Sequence, residues 1–209
     1  MKHLIGFYDY TVILTYLSLF SAIIGMVQTS RGHFTAAVLC IMLSGFLDAF
    51  DGPVARTKKN RTEDEKSFGI QLDSLCDIVS FGVVPAFLCY NLGADGFLGS
   101  ILILLYTLCA LIRLAFFNVL EAKRQQNEGG CNKIYHGLPV TTIAIILPIV
   151  YVLKFAMGIH GFEIVLHTML ALVSLLFVLD IQVRKPDWSR LFHKRTACSP
   201  EEREYETVS

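Results

Sequence analysis

Four aspartates in two neighbouring segments are the residues whose type and spacing most directly indicate chemistry. The segment LDAFDGPVAR contributes Asp48 and Asp51, and the segment GIQLDSLCD contributes Asp73 and Asp77. Residues three or four positions apart lie on one face of an α-helix, so each pair would present its carboxylates together. Both segments border long apolar runs, and an ionisable side chain within a membrane is a candidate functional group because its burial is costly.

Hard divalent cations are the natural compensation for four buried carboxylates. Oxygen ligands suit Mg²⁺, Mn²⁺ or Ca²⁺ rather than zinc. Four carboxylates can hold two such ions about 4 Å apart, an arrangement used for displacement at phosphorus. The spacing therefore predicts a two-metal site. The alternative is that one pair of carboxylates only reaches the membrane interface and forms salt bridges there.

Small residues beside the aspartates fit a ligand that contains phosphate. Gly52 and Ala55 follow the first pair of aspartates, and Gly69 precedes the second pair. Small residues let a bulky ligand approach the helix backbone. The planar guanidinium of Arg56 can bind a phosphate through two hydrogen bonds. Close packing between membrane helices is the alternative explanation for each glycine.

Long apolar runs dominate the composition of the elements that must position these residues. Of the 209 residues, 54% are hydrophobic and 17% are charged, against about 25% charged residues in a typical soluble domain. The 18 Lys and Arg balance the 18 Asp and Glu, so the net charge indicates no nucleic-acid partner. The six cysteines are scattered and indicate neither a disulfide framework nor a zinc site. The composition predicts a membrane protein.

Six stretches are long enough to cross a membrane as helices, which takes about 20 mainly apolar residues each. The sequence therefore predicts an all-α fold, a polytopic membrane bundle with six transmembrane helices. The predicted spans are roughly Thr11–Thr29, Phe34–Arg56, Gly69–Asn91, Phe97–Leu120, Leu138–Gly158 and Phe162–Val183.

Basic residues are distributed unequally between the connections of these spans. The segments before Thr11, at 56–66, at 121–137 and after Val183 hold 15 of the 18 Lys and Arg, whereas the other three connections hold only Arg31. Basic connections remain on the cytosolic side. We therefore expect a multi-pass protein of the cell membrane, with both termini in the cytosol and the carboxylates near the cytosolic face. We assign 1–183 to the membrane domain and expect 184–209 to be a partly disordered cytosolic tail.

The aspartates and their neighbours together match a family signature. The chain resembles the CDP-alcohol phosphotransferases at eight fixed positions on two adjacent spans. Its loop Thr57–Phe68 is longer than is usual in that family, and the role of this loop stays open. The matching positions are Asp48-x-x-Asp51-Gly52-x-x-Ala55-Arg56 and Gly69-x-x-x-Asp73-x-x-x-Asp77.

A narrower resemblance is to phosphatidylserine synthases of the bacterial and archaeal type. It depends on three segments, which are LDSLCDIVSFGVVPA (72–86), RLAFFNV (113–119) and YHGLPVT (135–141). The resemblance implies transfer of a phosphatidyl group from CDP-diacylglycerol to L-serine, with release of CMP and formation of phosphatidylserine. It also implies a homodimer in the lipid bilayer and two divalent cations, Mg²⁺ or Mn²⁺, with Ca²⁺ as the alternative.

The resemblance also implies a role for each residue of the signature. Asp48, Asp51 and Asp73 would hold the metals. Asp77 would contact a metal and act as the general base. The CDP site would be lined by four residues, which are Gly52, Ala55, Arg56 and Gly69.

Arg113 and Asn118 are the candidates for binding the acceptor alcohol. Arg113 lies in the middle of a predicted span, where it needs an anion. That anion is the carboxylate of serine, an acceptor phosphate or one of the four aspartates. Asn118 would either bind a polar head group or cap its helix at the interface.

Two other functions compete with the use of serine. The same chemistry could use glycerol phosphate, inositol or inositol phosphate as the acceptor, although a phosphorylated acceptor would need more cations near the site than Arg113 alone. A cation channel or transporter is the alternative from another class. It would need polar residues through the full thickness of the membrane, whereas these carboxylates gather near one face.

Overall fold

The computed structural model describes residue 6 and residues 12–55, 62–126, 134–136, 138–179 and 182–184. Within these ranges the chain is almost entirely helical, so the predicted helical class is confirmed. The elements, in chain order, are α1 (Ile13–Ser30), α2 (Phe34–Ala55), α3 (Glu63–Asp77), a π-helical segment (Ile78–Val83), α4 (Val84–Asn91), α5 (Gly96–Gln126), β1 (Ile134–His136), a 3-10 turn (Val140–Thr142), α6 (Ile143–Leu153), α7 (Ile159–Val178) and β2 (Gln182–Arg184).

Five helical stretches in the described ranges are long and apolar enough to cross a membrane. They are α1, α2, the continuous run from α3 to α4, α5 and α7. Large apolar side chains such as Phe20 and Leu104 are 64% and 66% exposed, as expected of a surface that faces lipid tails. The predicted span Leu138–Gly158 corresponds to the shorter apolar stretch Val140–Leu153, and a crossing takes about 20 residues. The count of six spans therefore stays a prediction.

Helices α1 and α2 pack closely because small residues line their shared face. A Cβ on Gly25 would lie 3.1 Å from the Cβ of Cys40 and 3.3 Å from the carbonyl oxygen of Ala37, so this approach needs a glycine. Nearer the other end of the pair, Ser18 Oγ lies 2.8 Å from Ser44 Oγ and donates to the Ser44 carbonyl. The order of these contacts makes the two helices antiparallel. The start of α1 therefore lies beside the end of α2, where the first pair of aspartates occurs.

Helix α3 begins before Gly69, where the third span was predicted to start. The side chain of Thr62 accepts a hydrogen bond from the backbone N–H of Glu65, and the Glu65 carboxylate accepts one from the backbone N–H of Thr62. This reciprocal pair is a capping box, which satisfies two N–H groups at the helix start. The acidic first turn also suits the positive end of the helix dipole. Local chemistry thus fixes where the helix that carries the second pair of aspartates begins.

A π-helical segment follows Asp77 directly and interrupts the α-helical pattern of the third span. Two residues after this segment, Pro85 has no N–H and therefore donates nothing to the Phe81 carbonyl one turn earlier. The hydroxyl of Tyr106 in α5, which is fully buried, donates to that carbonyl instead. This hydrogen bond connects α5 to the π-helical segment, which follows the second pair of aspartates.

Helix α6 packs against α2 through another small-residue contact. A Cβ on Gly45 would lie 2.5 Å from the Cβ of Ala144. Near the opposite ends of the two helices, Thr35 Oγ1 and the Tyr151 hydroxyl share a hydrogen bond of 3.0 Å. The two helices are therefore antiparallel, and the 3-10 turn that precedes α6 lies at about the level of Asp48.

A short antiparallel ribbon joins the segment before α6 to the segment after α7. Its register pairs Ile134 with Arg184 and Tyr135 with Val183. The sixth span was predicted to continue as a helix to Val183, but α7 ends at Val178, because the backbone beyond it pairs with β1. Two of the basic segments of the sequence thus meet at one end of the bundle. Most of the predicted tail, 185–209, lies outside the described residues.

Candidate active site

Three aspartates meet where α2 and α3 approach each other. One carboxylate oxygen from each of Asp48, Asp73 and Asp77 lies within 4.8 Å of the other two. All three residues are half-buried. Asp48 comes from α2 and the other two come from α3, one helical turn apart. The structure thus brings these side chains together at one level, as their helical spacing predicts.

Asp51 lies beside this group and connects it to α1. Its carboxylate lies close to that of Asp73, as the carboxylate of Asp48 does to that of Asp77. Thr15 Oγ1 in α1 donates a hydrogen bond of 3.3 Å to Asp51 Oδ2. Sequence reasoning missed Thr15, because its partner is 36 positions away and a threonine in an apolar run carries no motif.

The donor set fits a hard divalent cation. Oxygen atoms no more than 4.8 Å apart can share one ion at bond lengths of about 2.0–2.6 Å. Asp73 Oδ1 is buried without a hydrogen-bond partner among the described residues, so this oxygen is available as a ligand. Carboxylates so close together repel each other unless a proton or a cation lies between them. The cluster can therefore bind divalent metal, and its oxygen ligands favour a hard ion over zinc.

Asn118 contacts the helix that carries the second pair of aspartates. Ser74 Oγ, from the residue after Asp73, donates a hydrogen bond of 2.7 Å to Asn118 Oδ1. The Asn118 side chain is half-buried, and this hydrogen bond places it against α3 between the positions of Asp73 and Asp77 along the chain. Its amide nitrogen remains the group with which it would bind a ligand, since the oxygen accepts from Ser74.

Arg113 is buried at the level of the carboxylates, with 9% of its surface exposed. It lies in α5 between Tyr106, which contacts the π-helical segment, and Asn118, which contacts the last turns of α3. The antiparallel course of these contacts puts Arg113 level with Asp77. Its Nε donates a hydrogen bond of 3.2 Å to the carbonyl of Leu138, which fixes the guanidinium against the segment that leads into α6.

The glycines and alanine of the predicted CDP site lie next to the aspartates along their helices. Gly69 is half-buried in α3, one turn before Asp73. Gly52 and Ala55 occupy the last turns of α2. Arg56 lies outside the described residues, as does the first part of the long loop at 57–61.

Fold and site together define a polytopic membrane protein with a cluster of carboxylates able to bind divalent cations. A family model described as CDP-alcohol phosphatidyltransferase matches residues 10–179, which include every described helix. The chain therefore belongs to the CDP-alcohol phosphatidyltransferase family. The family predicted from the eight signature positions is confirmed.

The chain is also similar in sequence to individual proteins from yeast and from archaea. A CDP-diacylglycerol–serine O-phosphatidyltransferase of Saccharomyces cerevisiae is 35% identical over 70% of this chain and 54% of its own length. An archaetidylserine synthase of Methanothermobacter thermautotrophicus is 33% identical over 74% of this chain and 62% of its own length. A CDP-diacylglycerol–serine O-phosphatidyltransferase of Methanocaldococcus jannaschii is 33% identical over 81% of this chain and 72% of its own length. The chain thus spans between about half and three quarters of these relatives.

Proposed function

We propose that this protein is an integral-membrane transferase that moves a phosphatidyl group from CDP-diacylglycerol to L-serine, forming phosphatidylserine and CMP. One observation carries the proposal most directly. The carboxylates of two helices converge into one cluster that can hold a metal ion, in a chain whose relatives are named for this reaction or for its archaeal counterpart.

In this proposal the aspartates have two roles, which are metal binding and proton transfer. Asp48, Asp51 and Asp73 would hold two divalent cations, Mg²⁺ or Mn²⁺, with Asp77 as a further ligand. When bound, the cations would offset the charge of the donor diphosphate and of the phosphoryl oxygens in the transition state. Asp77 accepts the proton of the acceptor hydroxyl as its oxygen forms a bond to the lipid-side phosphorus. The bond from that phosphorus to CMP breaks, and CMP leaves with the electron pair.

The donor lipid enters from the bilayer, so that its acyl chains stay among lipid tails while its nucleotide reaches the carboxylates. Gly52, Ala55 and Gly69 allow the cytidine diphosphate to lie against the helix backbones. Arg56 binds a phosphate group through its guanidinium.

Arg113 binds the carboxylate of serine, and Asn118 contributes its amide nitrogen to the same pocket. The proposal draws support from the burial of Arg113 at the level of Asp77. A carboxylate in contact with this arginine would hold the serine hydroxyl near the base. Asn118 lies about one and a half turns further along α5, bonded through its oxygen to Ser74.

The wider arrangement of the protein follows from the charge distribution and the resemblance. We propose six transmembrane helices with both termini in the cytosol, because the basic connections alternate with nearly uncharged ones. The site then faces the cytosol, where CDP-linked donors and serine are both accessible. The working unit is a homodimer in the cell membrane.

Release of CMP with each acceptor tests the proposal. Purified protein in detergent or vesicles is supplied with CDP-diacylglycerol, Mg²⁺ or Mn²⁺, and one alcohol at a time. We expect CMP only with L-serine. Release only with inositol, inositol phosphate or glycerol phosphate would move the protein to another acceptor within the same family. Metal flux through protein-containing vesicles without CMP release would support a channel or transporter instead.

A further inference from the structure

Ser80 is a buried polar residue whose hydroxyl the fold leaves without a partner. The residue is 1% exposed. Its Oγ and Asp73 Oδ1 are the two buried side-chain oxygen or nitrogen atoms without a hydrogen-bond partner in the described part of the chain. An unpaired hydroxyl in an apolar interior costs free energy. A buried hydroxyl without a partner therefore calls for an explanation, such as a ligand that it binds.

Two other buried hydroxyls in the bundle are satisfied by carbonyl groups of their own helix. Ser174 donates to the Leu170 carbonyl, and Thr29 donates to the Gly25 carbonyl. Both use the carbonyl four residues earlier, which a regular α-helix offers to serine and threonine. Ser80 lies in the π-helical segment, where the backbone pattern is different. Such segments are rare and often occur at functional sites.

Ser80 lies close to the carboxylate cluster along the chain, in the π-helical segment that follows Asp77. It follows Asp77 by three residues and Asp73 by seven. It lies further along the helix axis than Asp77, away from the start of α3. The π-helical segment also contacts α1, α2, α5 and the 3-10 turn, so Ser80 lies inside the bundle.

We propose that the Ser80 hydroxyl binds the small polar acceptor on the inner side of the carboxylates. The inference rests on the proposed function, which supplies the acceptor. The donor diphosphate would bind at the oxygens that hold the cations, so the acceptor would approach Asp77 from the remaining side. A hydroxyl both donates and accepts hydrogen bonds, so Ser80 can orient a polar group of an amino alcohol while Arg113 binds its carboxylate.

Substitution of Ser80 by alanine separates acceptor binding from donor binding. In Ser80→Ala we expect the KM for L-serine to rise roughly tenfold, as for loss of one hydrogen bond to a polar ligand. The kcat and the KM for CDP-diacylglycerol should stay within about twofold of wild type, because the donor lies on the other side of the cluster. Ser80→Cys keeps the volume with a weaker hydrogen-bonding group, and its KM for serine should also rise.

Ser174→Ala is the matched control, since Ser174 is a buried serine whose hydroxyl is already bonded within α7. Its kinetic constants should equal those of wild type. Thermal unfolding without substrate adds a second readout. Ser80→Ala should unfold at or above the wild-type temperature because it removes an unpaired hydroxyl, whereas a hydroxyl with a structural role would leave the variant less stable.

The outcomes distinguish this inference from the proposed function. An unchanged KM for serine in Ser80→Ala, or an equal rise in the KM for the donor, overturns the role of Ser80 while the wild-type enzyme still uses serine. If wild-type protein releases CMP only with another alcohol, the choice of serine is wrong. The KM of both Ser80 variants for that other alcohol then decides the role of Ser80, with a rise supporting it and no change rejecting it.

Discussion

Each carboxylate of the cluster has a different set of neighbours, and these neighbours decide what it can do. Asp51 accepts a hydrogen bond from Thr15 on a third helix, which limits how far its side chain can turn. Asp73 keeps one buried oxygen unpaired, as a ligand for a cation requires. Asp77 lies at the junction of α3 and the π-helical segment. These three residues therefore have different surroundings although they share a side-chain type.

Thr15 should influence metal affinity through Asp51. Thr15→Val keeps the shape of the side chain and removes the donor, so Asp51 loses one of the contacts that orient it. Loss of a partner that orients a metal ligand typically costs about tenfold or more in affinity. We expect the Mn²⁺ concentration for half-maximal CMP release to rise roughly tenfold, with little change in the maximal rate.

Thr168→Val is the control for this prediction, because the Thr168 hydroxyl bonds to the Ile164 carbonyl of its own helix at an exposed position in α7. Its metal dependence should equal that of wild type. An unchanged Mn²⁺ midpoint in Thr15→Val would show that Asp51 does not need the threonine.

Asp77 should be indispensable for turnover and not for substrate binding. Asp77→Asn is nearly the same size but cannot accept the proton from the acceptor hydroxyl. General-base catalysis contributes about 10²–10⁴ in rate, so kcat should fall by a factor in this range at saturating metal. Single-turnover measurement of CMP at several Mg²⁺ concentrations checks this. Wild-type turnover at saturating metal would remove Asp77 from the role of base.

The carboxylates could be predicted at the residue scale, whereas the hydroxyls could not. Asp48 and Asp77 stand out because charge inside an apolar run is rare and their spacing matches a helical face. Thr15 and Ser80 look like ordinary small polar residues of membrane helices. Their importance depends on distance in space, which one sequence does not encode visibly.

At the scale of elements, the π-helical segment is the feature that sets the geometry after Asp77. One carbonyl group, that of Phe81, connects this segment to α5. Pro85 has no N–H to donate to the Phe81 carbonyl, and the Tyr106 hydroxyl of α5 donates to it instead. The tyrosine hydroxyl thus replaces the backbone hydrogen bond that the proline cannot make. Helix periodicity predicted a continuous span here but gave no sign of the π-helical segment, because apolar residues occur on all of its faces.

Tyr106 and Pro85 should be energetically coupled. Tyr106→Phe leaves the Phe81 carbonyl unpaired, and we expect a loss of about 1–3 kcal/mol in the free energy of unfolding. Pro85→Ala restores an N–H that can reach the same carbonyl. The double variant should therefore be more stable than the two single effects predict when they are added. Unfolding of all four proteins in detergent, followed by helical signal, measures the coupling, and strict additivity would contradict it.

The whole molecule is organised by where its polar groups are concentrated. Polar side chains connect α1 to α2 along their shared face, and the last of these hydrogen bonds reaches Asp51. The β1–β2 ribbon joins two basic segments at the end of the bundle where α6 begins. Composition was enough to predict a helical membrane protein. It was not enough to predict the ribbon, because three-residue strands have too little pattern, nor the short α6, whose apolar sequence resembles that of a full span.

Metal binding should stabilise the entire bundle, because the carboxylates of α2 and α3 repel each other without a cation. A ligand that binds only the folded protein stabilises it by about 2.7 kcal/mol at a concentration of 100 times its Kd. We therefore expect EDTA to lower the Tm of the wild-type protein and Mg²⁺ or Mn²⁺ to restore it.

Asp73→Asn removes one of the repelling charges and one ligand. Its Tm in EDTA should exceed that of wild type, and added metal should raise it much less. A wild-type Tm that does not respond to EDTA, or a variant stabilised by metal as strongly as wild type, would mean that these four carboxylates do not form a cation site.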